Sequence, residues 1–182
     1  MKRIENQVNE LLTDLKITQA PVPVRKIAKA LGLSIKAYDL GDGVSGALLL
    51  DNDKAIIGVN PSESRERTRF TIAHEIGHYS LHKSSSALFV DKDGLIQKIE
   101  EDGVRVLFRD GKSSSGEVKI EREANAFAAA LLMPVNLLKK EINSLDLDNY
   151  KHDEEIINEL ARRFKVSTIA MTYRLTNLGV LQ

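Results

Sequence analysis

Two histidines and a glutamate lie close together near the middle of the chain, in the order His74-Glu75-Ile76-Gly77-His78. On a helix, positions four apart lie about 40° apart around the axis and about 6 Å along it, so both imidazoles can reach one tetrahedral zinc ion. Glu75 lies about 60° around from His78, where its carboxylate can take a proton from zinc-activated water without binding the metal. The spacing predicts a zinc site that hydrolyses peptide bonds, with His74 and His78 as ligands and Glu75 as general base.

A catalytic zinc site needs a third protein ligand, and Glu121 is the predicted one. It lies on a strong helix predicted from about Val118 to Met133. Asn125 follows one turn later on the same face, where its side chain can fix the outer nitrogen of a ligating histidine. Glu123 is the main alternative ligand. It lies about 200° around the helix from Glu121, so both cannot easily bind the same metal.

A third histidine, His82, prolongs the histidine face of the first helix. Its direction is about 80° away from that of His74, which makes three ligands from one straight helix awkward. We predict that His82 lines the cleft and stabilises the oxyanion; the alternative is a helix-terminal histidine favoured by the helix dipole. His152 lies in a charged stretch and is interpreted as solvated.

Two segments resemble the ImmA/IrrE family of metallopeptidases, which are gluzincin-like proteins of bacteria and their mobile elements. They are residues 69–78, RFTIAHEIGH, and residues 121–134, EREANAFAAALLMP, with weaker similarity at 44–46 and 166–179. The resemblance covers most of the chain and implies a zinc metallo-endopeptidase with His74, His78 and Glu121 as ligands. It also implies that the substrate is a helix-turn-helix repressor, cut during stress or induction of a mobile element.

The composition is that of an ordinary globular protein. There are 26 basic and 26 acidic residues, 42% hydrophobic residues and no cysteine. The absence of cysteine excludes disulfides, thiolate metal sites and cysteine nucleophiles, and a formal net charge of zero gives no general attraction to nucleic acid. Because no signal region and no run of eighteen apolar residues is present, we expect a cytoplasmic protein that does not enter a membrane.

Hydrophobic periodicity predicts a mixture of helices and strands. Helices are predicted at 4–15, 24–31, 60–82, 118–133, 154–164 and 168–178, with a further one opening at 135, and strands at 33–37, 45–50, 54–59, 87–90 and 104–108. The helix that carries the motif is predicted to start with Asn60 as its cap, Pro61 in its first position and Glu63 completing a capping box.

These elements predict an α+β fold in which a small antiparallel sheet packs on a zincin-type pair of helices, with additional N- and C-terminal helices. Residues 1–142 are predicted to form the zincin-like metallopeptidase domain and residues 143–182 a C-terminal helical segment packed on it. An extended substrate is predicted to add to an edge strand near Ala47 to Leu50.

The C-terminal segment resembles a helix-turn-helix pair, and this supports an alternative function as a regulator that binds DNA or a repressor without catalysis. Arg162, Arg163, Lys165 and Arg174 are its candidate phosphate contacts. However, Lys165 occupies the turn where such motifs usually place glycine. With zero net charge, we favour the interpretation that this helix pair packs its apolar residues, among them Ile169, against the core.

Overall fold

The computed structural model describes residues 2–40, 44–51, 54–82, 89–90, 115–146, 150 and 152–180. Within these ranges there are seven helices and four strands, namely α1 (Lys2–Asp14), α2 (Val24–Ala30), β1 (Leu33–Ala37), β2 (Gly46–Asp51), β3 (Lys54–Val59), α3 (Arg65–His82), β4 (Phe89–Val90), α4 (Ser115–Leu132), α5 (Val135–Asn143), α6 (Asp153–Phe164) and α7 (Thr168–Asn177). The predicted strand at 104–108 lies outside the described residues. None of the described helices has the length and hydropathy needed to cross a membrane.

The chain forms two compact units. One comprises Pro23–Ala128 and contains the sheet, α3 and most of α4; the other comprises Met1–Val22 together with Ala129–Gln182. This grouping places α1 with the C-terminal helices, whereas the predicted division at residue 142 followed the order of the sequence. The boundary at residue 142 between independently folding parts therefore remains a prediction.

The sheet confirms the predicted α+β class and differs from the prediction in one respect. Its strand order is β1-β3-β2-β4. The hairpin of β2 and β3 is antiparallel as predicted, with Leu48 opposite Ile57. The pairing of β1 with β3 is parallel, with Ile35 opposite Ile57. The sheet is therefore mixed. β3 lies between β1 and β2, and it runs parallel to β1 and antiparallel to β2.

The predicted edge for substrate addition is partly covered. Ala47 and Leu48 of β2 pair with Val90 and Phe89 of β4 on the side away from β3. The prediction of a free edge at Ala47 to Leu50 is therefore wrong at its first two residues. A two-residue strand gives too short a periodic pattern for its partner to be predicted from sequence.

The start of α3 also differs from the prediction. Ser64 caps the helix, since its Oγ accepts a hydrogen bond of 3.1 Å from the backbone N–H three residues later. Asn60 lies before the helix, where its Oδ1 accepts from the N–H two residues on and its Nδ2 donates to a backbone carbonyl. Glu63 accepts from Ser45 at 2.7 Å instead of closing a capping box. A contact with a distant part of the chain thus replaces the predicted local one, and the helix begins at Arg65.

In the other unit, α6 and α7 form the predicted helix pair. Lys165 has a positive φ of 52° at the turn, so a lysine takes the left-handed conformation that favours glycine. Ser167 caps α7 by accepting from the N–H of Ala170 at 3.2 Å. The prediction that Ile169 packs in the core is wrong: its side chain is 70% exposed, because it lies on the solvent face of α7.

The candidate phosphate-binding arginines of this unit are paired with carboxylates. Arg174 is buried, donates to the carbonyl of Met133 at 3.0 Å and forms an ion pair of 2.6 Å with Glu5. Arg162 and Arg163 both bind Glu159, and their hydrogen bonds lower the pKa of that carboxyl to about 2. Burial and pairing remove Arg174 as a candidate phosphate contact, whereas the side chain of Arg162 is 74% exposed and its pair with Glu159 is a surface ion pair of small stability.

Candidate metal centre

The central part of α3 is buried throughout. All residues from Thr71 to His78 are inaccessible or nearly so, and His74, Glu75 and His78 are 7%, 2% and 1% exposed. Buried side chains that can carry charge need partners, because removal from water is costly. The three polar residues of the motif are therefore held in a defined environment.

Three side chains converge next to this segment. The Nε2 atoms of His74 and His78 lie 2.9 Å apart. From α4, Glu121 places Oε2 3.3 Å from Nε2 of His74 and Oε1 3.3 Å from Nε2 of His78. In the part of the chain that the structure describes, this is the one group of three or more His, Asp or Glu side chains that could hold a metal ion.

The donor set fits zinc in chemistry and in spacing. Ligand atoms about 2.0 to 2.2 Å from a tetrahedral zinc lie about 3.3 Å from one another. The two histidine nitrogens lie 2.9 Å apart, and each lies 3.3 Å from a different oxygen of Glu121, so these separations are close to that value. Two imidazoles and one carboxylate leave the fourth position of a tetrahedral zinc open, as a catalytic site requires.

Asn125 lies beside this cluster and orients one of its rings. Its Oδ1 is 3.0 Å from Nδ1 of His74. A carbonyl oxygen can only accept, so this contact places a proton on Nδ1 and leaves Nε2 as the nitrogen of His74 that can bind a metal. Glu121 and Asn125 are one helical turn apart, so α4 supplies both a predicted ligand and the group that fixes another.

The surroundings favour the protonation states that a metal needs. Burial lowers the pKa of His78, although its contact with Glu121 acts in the opposite direction. Burial alone would raise the pKa of Glu121, but the hydrogen bonds with His74 and His78 outweigh it and hold the pKa well below its usual range. The shift in the pKa of His78 thus favours its neutral form and the shift in the pKa of Glu121 favours its ionised form, which are the forms that bind a metal.

His82 and Glu123 form a separate pair. Nε2 of His82 lies 3.6 Å from Oε2 of Glu123, and the His82 ring centroid is 6.0 Å from that of His78. Glu123 points away from the converging donors, as expected from its position about 200° around α4 from Glu121. Because His82 is not among the residues lining the cavity next to the donors, the role predicted for it in the cleft gains no support from the geometry.

A cavity of about 320 Å³ opens beside the donors. It is lined by residues from the start of β2, from α3 and from α4, namely Ser45, Gly46, Arg67, Phe70, Thr71, His74, Glu75, Glu121 and Asn125. None of the first five was predicted from the sequence as a site residue. The spacing of three and four that links Arg67, Phe70, Thr71 and His74 places them on one face of α3 and was a usable signal.

Two glycines allow the elements around the cavity to approach closely. A Cβ at Gly46 would overlap the side chain of Thr71 and lie 2.9 Å from the carbonyl oxygen of Gly58. A Cβ at Gly77 would lie 3.1 Å from the carbonyl oxygen of Ala124 and 3.1 Å from Cβ of Phe127. Side chains at these positions would push β2 and α4 away from α3.

We expect Gly77→Val to destabilise the protein by about 1 to 3 kcal/mol, because the added methyl groups overpack the contact between α3 and α4. It should also weaken zinc binding, since Glu121 lies one turn before Ala124 and moves away with α4. Chemical denaturation and zinc titration of the purified variant measure both effects.

Ser80→Val is the matched control, because Ser80 is exposed on the same helix. It should change the free energy of unfolding by less than about 0.5 kcal/mol. Parental stability and zinc affinity in Gly77→Val would show that the two helices need not approach so closely.

Comparison with known proteins supplies the family. Residues 28–176 match the peptidase M78 family, described as the IrrE N-terminal-like domain. The chain belongs to this family. The resemblance found in the sequence is thereby confirmed, and the donor cluster and the cavity lie within the matched residues of this IrrE-like domain.

Two curated relatives of this IrrE-like chain are named radiation response metalloprotease IrrE. The chain is 31% identical to the protein of Deinococcus radiodurans over 149 residues, 80% of this chain and 37% of that protein. It is 30% identical to the protein of Deinococcus deserti over 175 residues, 87% of this chain and 54% of that protein. The chain thus matches about half or less of each relative.

A solved structure shares the fold. It is named a Mycobacterium tuberculosis transcriptional regulator, and it aligns with a TM-score of 0.62 and 19% identity over 97% of this chain and 47% of that chain. At 19% identity, this similarity shows that the two chains share a fold. It shows nothing about the partners of this IrrE-like chain.

Proposed function

We propose that this chain is a zinc-dependent endopeptidase that hydrolyses peptide bonds in a protein substrate. The observation that carries the proposal is the convergence of His74, His78 and Glu121 within hydrogen-bonding distance of one another, with Glu75 beside them at the same cavity. Membership of the peptidase M78 family and the names of two relatives support it.

Each residue of the site has a defined task in this reaction. Zinc, when bound by His74, His78 and Glu121, supplies a Lewis acid that acidifies water and polarises the scissile carbonyl. Glu75 takes the proton of the attacking water and delivers it to the leaving nitrogen, so a single carboxylate serves as base and then as acid. Asn125 holds the His74 ring in the orientation that keeps Nε2 available.

The proposed substrate is a helix-turn-helix transcriptional repressor, and the proposed location is the cytoplasm. The support for the substrate is the family resemblance of residues 69–78 and 121–134. Because the chain has no cysteine, it has no disulfide that would need an oxidising compartment, and its metal must be held by nitrogen and oxygen donors.

The direct test is cleavage of a purified helix-turn-helix repressor, sought first among the genes next to this one. We expect a zinc-loaded preparation to give defined fragments in mass spectrometry, a chelator to stop cleavage, and about one equivalent of zinc to restore it. Cleavage that persists after the metal has been removed would contradict the proposed mechanism. A complex with an uncut repressor would instead favour regulation by binding alone.

A further inference from the structure

One face of α3 extends from the metal centre to an arginine. Arg67, Phe70, Thr71 and His74 all line the cavity. Arg67 and His74 are seven residues apart, which is about 10 Å along the helix axis. Along α3 from His74 to Arg67, the wall of the cavity is therefore formed by a polar side chain, then an aromatic ring and then a cationic side chain.

Arg67 is held in place by a directed pair of hydrogen bonds. Its Nε donates to Oγ of Ser45 at 2.9 Å, and the Ser45 hydroxyl in turn donates to Oε1 of Glu63 at 2.7 Å. Because Glu63 takes the hydroxyl proton, the oxygen of Ser45 is left to accept from the arginine. The guanidinium carbon also lies 5.9 Å from the centroid of the Phe70 ring.

In the described part of the chain, the Arg67 side chain makes one hydrogen bond, through Nε, and no direct ion pair with a carboxylate. Its two terminal nitrogens therefore have no hydrogen-bond partner among the described residues. Among the described residues that line the cavity it is also the one lysine or arginine. Glu75 and Glu121 lie at the opposite end, at the metal centre. With a divalent cation bound, the two carboxylates are offset at the metal centre, whereas Arg67 keeps its positive charge at the other end.

We propose that Arg67 determines substrate specificity by pairing with the carboxylate of an acidic side chain within two residues of the scissile bond. The proposal rests on the proposed function. Two residues of an extended peptide span about 6.6 Å, and the arginine and the acidic side chain bridge the remaining distance to the donors. The Phe70 ring between them offers an apolar surface to the intervening part of the peptide.

The test measures peptide binding by fluorescence anisotropy. Zinc-loaded Glu75→Gln protein is titrated with labelled, C-terminally amidated decapeptides that have a central Leu-Leu pair in a Ser/Ala background. Glu, Gln or Lys is placed in turn at each of the two positions before and the two positions after the Leu-Leu pair. At one position we expect Glu to bind about fivefold more tightly than Gln, and Lys more weakly than Gln.

The matched variants separate a specificity role from a structural one. In the same background, Arg67→Glu should invert the order so that Lys binds most tightly, and Arg67→Lys should keep the preference for Glu. Arg65→Glu makes the same charge change on an exposed residue outside the cavity lining and should leave the preference unchanged. A reversed order of peptide affinities cannot result from partial unfolding, because partial unfolding weakens the binding of all the peptides alike.

Equal affinity of the Glu, Gln and Lys peptides would overturn the proposal, and so would an unchanged preference in Arg67→Glu. The peptides are also measured with a free C-terminus, and a gain from that carboxylate with none from the Glu side chain would overturn the assignment to an acidic side chain. Since binding is measured in a variant that does not hydrolyse, these outcomes do not depend on turnover. Failure of the parent protein to cleave a bound peptide would count against the proposed function alone.

Discussion

Glu75→Gln is expected to lower kcat/KM for peptide hydrolysis by about 10² to 10⁴-fold while the protein retains zinc. The amide has nearly the same shape as the carboxylate but cannot take the proton of the attacking water. Glu75 is 2% exposed, so the isosteric change also avoids a packing defect. Single-turnover cleavage and zinc content per chain, measured on the same preparation, give both results.

Glu66→Gln is the control for this change, because Glu66 is an exposed carboxylate on the same helix. It should leave both activity and zinc content at parental values. Retention of most of the activity in Glu75→Gln would exclude Glu75 as the general base. Loss of zinc from that variant would instead indicate that Glu75 holds the metal.

Glu121→Ala is expected to weaken zinc binding by more than about 100-fold, whereas Glu123→Ala should leave it nearly unchanged. Groups that only orient a ligand already contribute about 10 to 100-fold, so the loss of a ligand should cost more. Glu121 places an oxygen 3.3 Å from each histidine, while Glu123 faces His82. Competition with a chromophoric chelator measures the two affinities.

This pair of variants is a matched comparison, since both carboxylates lie on α4 and are similarly accessible, with side chains 33% and 34% exposed. The reverse result, with zinc lost from Glu123→Ala alone, would assign the third ligand to Glu123. Equal losses of zinc affinity in both variants would indicate a general effect on the structure of α4 and not the loss of a metal ligand.

The helices of the site could be predicted because their signals are local. The spacing of His74 and His78 needs only a regular helix to bring the rings together, and the structure has that helix. The spacing of Glu121 and Asn125 likewise places both on one face of α4. The ligand assignment itself stays a prediction, although the four side chains lie together.

Features that depend on distant partners could not be predicted in the same way. The parallel pairing of β1 depends on β3 inserting next to it, and the cap of α3 was misplaced because Glu63 binds Ser45 from another element. Ile169 occupies a position in the apolar pattern of its segment, but which face of α7 meets solvent is decided by packing within the unit.

The hydrogen bond between His74 and Asn125 joins residues 51 positions apart. A ribosome adds about 5 to 20 residues per second, so α3 is made several seconds before α4. A nascent chain that ends before α4 has both histidines but lacks Glu121 and the group that orients His74. The complete arrangement therefore exists only after α4 has been synthesised and has packed against α3, and the proposed hydrolysis has to wait for that step.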